Sequence, residues 1–433
     1  MSVEDAELED RSQVGVLKLK ALVVDVEDQT GLTALGLGVD ESYRLLIAYE
    51  EDPDSDFELD PQVCKQIAKE SFGPGFKGTL KAKTIYGALH GLETFAQLVT
   101  KNNNPHDGTT TREIAQTPLL IHARPLFPHR GVLLDTSRNF LSMVSLYRTI
   151  DAMAMNKFNV FHWHIVDSPS FPIALDDQVG GGEDEDKFVH GGADEVNFNC
   201  WNATKSVVDM IKSKDIPRSK EGVDRVLDGF TGRQHEMLRN AGKRPIVWEE
   251  PLLAHDLTTI KENKDTVVQV WTSENIKKTV RQGYDVITGS ADYWHMDCGF
   301  GDWLGNWTMG KSWCAYSDWQ KAYSFNPLQG LNSKESKKVL GGEALLWGEQ
   351  VDNTNLDTKL WPRASAVAEV LWSGNAEDSI SKLWDGRRQT KNTLRHIKAL
   401  DRINEHRFRM EAEKILAEPF QPLWCVKNPG HCN

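Results

Sequence analysis

Apolar residues follow two periods in this chain. Within residues 1–126, Tyr43, Leu45 and Ile47 alternate as on a half-buried strand, and Ala88, Leu92, Phe95, Ala96 and Val99 recur at helical spacing in 84–99. Asp52 to Asp56 read as an acidic loop, Gly73-Pro74-Gly75 as a turn, and Lys101 to Gly108 as a surface loop. A small α/β domain over 1–126 is predicted. From Gly131 onward short apolar runs alternate with helical stretches. Strands are expected at 132–134, 160–166, 187–192, 245–248, 267–271, 285–288 and 339–346, with helices such as 144–155 and 226–241 between them. Helices after Trp361 complete the ring. Repeats of this kind pack as a parallel sheet, so 127–433 is predicted to be an α/β fold of the (β/α)8 TIM-barrel type.

One connection breaks the repeat. Between Asp167 and the strand at 187 lie Pro169, Pro172, Gly180 to Gly182 and the acids Glu183 to Asp186, with no helical pattern. A crossover between parallel strands takes a dozen or more residues and normally contains a helix. Seven strands are visible where a closed barrel needs eight, so about one strand is expected to be missing here.

Composition narrows the partners. A hydrophobic fraction of 39% in 433 residues supports a sizeable core. The net charge of −13, with no compensating basic cluster, argues against nucleic acid or an anionic membrane and favours a neutral or small ligand. No apolar run approaches the roughly 18 residues of a spanning helix, and Met1-Ser2-Val3-Glu4-Asp5 lacks the basic and apolar character of a signal peptide. None of Cys64, Cys200, Cys298, Cys314, Cys425 and Cys432 forms a CxxC pair, so no zinc and no cofactor is expected. Cys298 and Cys314 bracket a loop rich in Gly and Trp, and Cys425 and Cys432 bracket Asn428-Pro429-Gly430. Both spacings suit disulfides, with unrelated buried thiols as the alternative. The sequons at Asn202 and Asn306 lean toward a secretory route.

The chemistry centres on Phe188-Val189-His190-Gly191-Gly192-Ala193-Asp194-Glu195. With 63 Asp and Glu, chance alone supplies roughly nine adjacent acid pairs, so the pair needs its context. Phe188-Val189 read as a strand end and Gly191-Gly192 permit a sharp turn, which projects the carboxylates from the edge where barrels carry their catalytic groups. Trp248, Trp271 and Trp347 recur where other strands end, and their faces suit the C–H faces of a pyranose. Arg138 lies just past the first barrel strand as a clamp or a surface ion-pair partner. His162 and His164 share one face of a strand, but no third metal ligand is evident nearby.

These runs, with LDTSR at 134–138, NVFHWHIVDSPSFP at 159–172, VVQVW at 267–271, ALLWGE at 344–349 and DNTNL at 352–356, resemble family 20 β-N-acetylhexosaminidases of the eukaryotic secreted or lysosomal type. YGALHGLETFAQL at 86–98 resembles the α/β domain that precedes that family's barrel. The resemblance implies an exo-acting, retaining, substrate-assisted hydrolase, an exception to the two-carboxylate scheme. Glu195 would be general acid and base, and Asp194 would orient the acetamido group whose oxygen attacks the anomeric carbon. Arg138, Asp297 and Glu349 would bind sugar hydroxyls, Trp248, Trp271 and Trp347 would enclose the ring, and Asp167 would support them. His295 stands where the family carries Tyr, so weaker or more pH-sensitive catalysis is expected. The family also places between Asp167 and 187 a loop, a helix, a strand ending in Pro-Glu-x-Asp-x-Pro-Gly-His and a further helix, none of it found here. Cys200 thereby loses its usual partner. The resemblance implies a glycan or chitin-oligosaccharide substrate, a secreted, lysosomal or vacuolar location, and a homodimer as an assembly to test. Two alternatives stand beside this reading: a catalytically impaired or lectin-like relative damaged by the omission, and a chitinase-like endo-enzyme, whose Asp-x-x-Asp-x-Asp-x-Glu pattern is absent.

Overall fold

The computed structural model describes residues 19–28, 36–49, 76–103, 108–114, 117–173, 188–305, 311–374, 388–428 and 431–432. The acidic loop at 52–56, the turn at 73–75, most of the acidic connection before 188, Cys64 and the Asn306 sequon lie outside them. The chain divides into two compact units, one of Met1–Ala34 with Val39–Arg124 and the other of Leu35–Gly38 with Pro125–Asn433.

The first unit contains β1 (Leu19–Val26), β2 (Tyr43–Tyr49), β3 (Phe76–Ala82), β4 (Val99–Asn103), β5 (Thr110–Ile114) and β6 (Leu119–Ala123). Four of these form a sheet in the order β1-β3-β2-β6, with β1 parallel to β3 and the other pairs antiparallel, while β4 and β5 make a hairpin. The helix Ile85–Leu98 starts where Thr84 Oγ1 accepts from the Gly87 N–H. Its buried line runs through Gly87, Ala88 and Gly91, whereas Leu92, on the same helical spacing, is 37% exposed. A Cβ on Gly91 would lie 2.3 Å from Leu80, so the helix sits closer to β3 than larger side chains allow.

The second unit carries one parallel sheet of β7 (His129–Asp135), β8 (Val160–His164), β9 (Phe188–His190), β10 (Arg244–Trp248), β11 (Val267–Val270), β12 (Asp285–Thr288) and β13 (Val339–Leu346). All seven strands fall where the apolar runs placed them. Their order is β8-β7-β13-β12-β11-β10-β9. The barrel lacks one strand, as expected: among the described residues β8 and β9 are edge strands that do not pair, and the place between them is the one the sequence leaves short. Helices such as Met143–Met155, Lys220–Asn240 and Arg363–Ser373 cover the outer face. Lys220–Asn240 begins earlier than its apolar pattern because Ser219 Oγ caps the Gly222 N–H at 3.3 Å.

Alternation along the strands separates two cores. Val132, Leu134, Val247, Val268, Val286, Ala344 and Leu346 point outward into the main cluster with the helices. Inside, Leu133, Trp248 and Leu345 pack with Trp271 and Trp347 toward the C-terminal end, and Ile246, Val267, Ile287 and Leu340 pack with Leu37 at the other. Both expected disulfides are present, Cys298–Cys314 and Cys425–Cys432, and Cys200 is a free, exposed thiol.

Candidate active site

Because all seven strands are parallel, the residues that follow each of them gather at one end. At the end of β7, Asp135 is buried and accepts from the backbone N–H of Ser137 at 2.8 Å and of Gly348 at 2.9 Å, tying the ends of β7 and β13 together. The same carboxylate holds one Arg138 nitrogen at 2.8 Å, while the other meets Asp167 at 2.9 Å and Glu349 at 3.6 Å. The Arg138 guanidinium lies 5.2 Å from the Trp347 ring centroid. Three sequence-predicted residues thus meet at Arg138. Burial opposes the charge of Asp167, but His164 at 2.9 Å and Arg138 outweigh it and lower its pKa.

The acids stand on a turn of unusual backbone. Gly192, Ala193 and Glu195 have φ of 67°, 70° and 44°, a region that Ala and Glu enter only where surrounding bonds compel it. The compelling bonds are Gly191 N–H to Ile246 O at 2.7 Å, Gly192 N–H to His190 Nδ1 at 3.0 Å, and Trp248 N–H to Gly192 O at 3.1 Å. The strand therefore stops at His190, two residues short of the expected Gly192. Asp194 is half-buried, and burial, with Glu195 adding to it, raises its pKa. Glu195 is exposed and makes no hydrogen bond or ion pair among the described residues. The two acids thus face different environments.

Aromatic walls complete the rim. Trp248 and Trp347 approach to 5.7 Å between centroids, and Trp271 meets Trp313 edge-on at 6.5 Å. Trp313 also lies 5.9 Å from the His295 ring, which lies 6.4 Å from Trp347. The Trp347 backbone N–H donates to Asp297 at 3.3 Å, and burial, assisted by Glu349, lifts the Asp297 pKa to about 7. His295 corrects an expectation. Burial pushes its pKa down to about 4, so the imidazole is neutral between pH 5 and 8 and does not titrate near neutrality. Neither ring nitrogen closes a hydrogen bond. A cleft of about 1040 Å³ runs from Arg138, Asp167, Asp194 and Glu195 past Trp248 and His190 to His129.

The family model described as glycosyl hydrolase family 20, catalytic domain, matches residues 127–179 and 183–375. The chain belongs to glycosyl hydrolase family 20. The two matched blocks break at the glycine run 180–182, inside the short connection. A probable beta-hexosaminidase of Arthroderma benhamiae is 29% identical over 476 residues, covering 82% of this chain and 73% of the relative. A chitooligosaccharidolytic beta-N-acetylglucosaminidase of Ostrinia furnacalis is 30% identical over 517 residues, covering 96% and 79%. Both alignments are longer than this chain, so the relatives carry segments that this family 20 member lacks. The X-ray structure of the Flavobacterium johnsoniae chitobiase superposes with a TM-score of 0.61 at 21% identity, covering 91% of this chain and 63% of that one, and shares its fold.

Sequence reasoning passed over several residues of the site. Asp135 orients Arg138, and Glu249, buried, accepts from the backbone N–H of Trp271 and Thr272 and from Asn275. Glu250 accepts from the Trp271 indole N–H at 2.8 Å, and burial, then the charges of Asp194 and Glu249, raise its pKa to about 7. The signal for both glutamates was their place directly after Trp248 at a strand end. His162 and His164 do face inward together, but they bond to different carboxylates, Glu343 at 2.8 Å and Asp167 at 2.9 Å.

Proposed function

We propose that this chain is an exo-β-N-acetylhexosaminidase that removes terminal N-acetylglucosamine or N-acetylgalactosamine with retention, with residues 1–126 as the α/β domain preceding its barrel. The observation that carries the reading is the acid pair on its constrained turn, facing the rim of Arg138, Trp248 and Trp347. Glu195 protonates the glycosidic oxygen while the acetamido oxygen of the substrate attacks the anomeric carbon, breaking the glycosidic bond and forming a cyclic oxazolinium. Ionised Asp194 accepts from the acetamido N–H and stabilises the positive charge, an interaction strengthened by its partial burial. Water then attacks the anomeric carbon, gives its proton to Glu195 and reopens the ring. Neutral His295 donates one N–H to the acetamido oxygen, Asp297, Glu349 and Arg138 hold hydroxyls, and Asp167 braces Arg138. Trp248, Trp271 and Trp347 enclose the sugar, with Trp313 added to the wall.

The substrate fits the names of the relatives, one of them chitooligosaccharidolytic. Two disulfides support a secreted, lysosomal or vacuolar location, and among the described residues no helix is long and apolar enough to cross a membrane. A homodimer is the assembly we carry with this reading, to be checked by light scattering. The second reading, an impaired or lectin-like relative, is favoured by one observation: Glu195 is exposed beside the open edge. Hydrolysis of a chromogenic N-acetyl-β-glucosaminide by the chain and by Glu195→Gln separates the two. Turnover by the chain that is lost in the variant supports the enzyme; absence in both, with N-acetylglucosamine still bound, supports the lectin-like relative.

A further inference from the structure

In an eight-stranded barrel, alternate strands fill each interior layer with four side chains. With a place left between β8 and β9, the strands β8, β9, β11 and β13 are such an alternate set, and they contribute His162, His190, Gln269 and Glu343. One Glu343 oxygen accepts from His162 Nδ1 at 2.8 Å and Gln269 Nε2 at 2.7 Å, and the other accepts from His129 Nε2 at 2.8 Å. The His162 and His190 rings stack at 4.9 Å with 24° between their planes. The layer is complete because the absent strand belongs to the other alternate set. It joins the two unpaired edge strands through side chains where no backbone ladder does.

His190 belongs to this layer and also to the catalytic turn. Its Nδ1 accepts the Gly192 N–H at 3.0 Å, which places its proton on Nε2, next to Gln269. Burial, then the neighbouring His162, hold its pKa well below the ordinary histidine value, against the smaller opposing pull of Glu343, so the acceptor stays free in the working pH range. Gly192 is the first of the three positive-φ residues of the turn, followed by Ala193 and Glu195.

We propose that His190 is a positioning residue for the acid pair, tying the Gly192 turn to a polar layer that bridges β8 and β9 in place of the absent strand. Its catalytic consequence rests on the assignment of Asp194 and Glu195 above; the tie itself does not. Two variants separate its functions. In His190→Asn the side-chain oxygen can accept the N–H two residues on, as in an Asx turn, but no ring remains. His190→Phe keeps a ring and has no acceptor. The readouts are kcat and KM on the chromogenic N-acetyl-β-glucosaminide, and amide hydrogen exchange of peptides covering 188–196 and 160–166.

His190→Phe is expected to lower kcat about 100-fold, the scale of a misplacement near 1 Å, with KM within about threefold of the native value. It should speed exchange at 191–193 about tenfold while leaving β8 protected. His190→Asn should recover at least about tenfold of that kcat and keep the turn protected, while exchange in β8 rises. Equal kcat losses with equal exchange in both variants would show that His190 only fills space and would overturn the proposal, as would native exchange at both segments. If the native chain shows no turnover, the assignment of the acids fails and the exchange pattern still decides the tie. Should His190→Phe not fold, His190→Leu, narrower and equally without an acceptor, takes its place.

Discussion

Replacing Asp297 by Asn should stabilise the protein in a pH-dependent way. In the folded chain its pKa is about 7, raised by burial and by Glu349 from an ordinary value of 3.8. A carboxyl whose folded pKa exceeds its unfolded one binds its proton more tightly in the native state, so stability falls as pH rises from about 4 to about 7. Between pH 4.5 and pH 8 this single group costs about 3 kcal/mol. Asn is nearly isosteric, keeps an oxygen for the Trp347 N–H at 3.3 Å, and carries no charge to desolvate. The variant should therefore unfold at nearly the native temperature at pH 4.5 and about 3–6 °C above it at pH 8. Its kcat/KM should fall, because the carboxylate is assigned to a sugar hydroxyl. Differential scanning fluorimetry at both pH values, with hydrolysis followed alongside, provides the check. An equal shift in melting temperature at both pH values would refute the reasoning, since it would show that the gain does not come from ionisation of a buried carboxyl.

Three further outcomes follow from the same geometry. Arg138→Lys loses the fork that spans Asp135, Asp167 and Glu349 and the stacking on Trp347, and should lower kcat/KM about 10- to 100-fold; an unchanged value would remove Arg138 from the sugar site. His295→Gln keeps a donor and removes a titration: a histidine held at about 4 loses stability as pH falls from 6.5 to 4, so the variant should lose up to about 3 kcal/mol less than the native chain between pH 7 and pH 4 in urea unfolding. Opening Cys298–Cys314, whose cysteines lie 16 residues apart, by a double Ser substitution should cost about 3 kcal/mol in the same assay and loosen Trp313 from the rim.

Much of the site was legible from position alone. Asp194, Glu195, Trp248, Trp271, Trp347 and Glu349 follow strands whose apolar runs are short and well bounded, and a parallel sheet brings all such positions to one end. Asp135, Glu249 and Glu343 were not legible, because their importance lies in the partners they hold. Glu343 sits in a run of small and apolar residues, and only the fold, which brings His129 of β7, His162 of β8 and Gln269 of β11 onto its carboxylate, shows why a charge is tolerated there. The ionisation of His295 was not legible for the same reason: an imidazole titrates near neutrality in water, and burial in the fold moves it to about 4.

What this chain determined by sequence is its class and its deficit: the strand and helix periods, the acid pair after a Gly-Gly turn, and a connection too short for the eighth strand. Those are local properties, set by spacing and by what a segment can bury. Tertiary structure decided how the deficit is met. Among the described residues no strand lies between β8 and β9, yet His162, His190, Gln269 and Glu343 form a complete layer across the gap, because alternate strands build each layer and the absent strand is not one of theirs. The charge states of Asp297, Glu250 and His295 were decided there too, since each depends on how much water the fold removes from the group and which charges it leaves nearby.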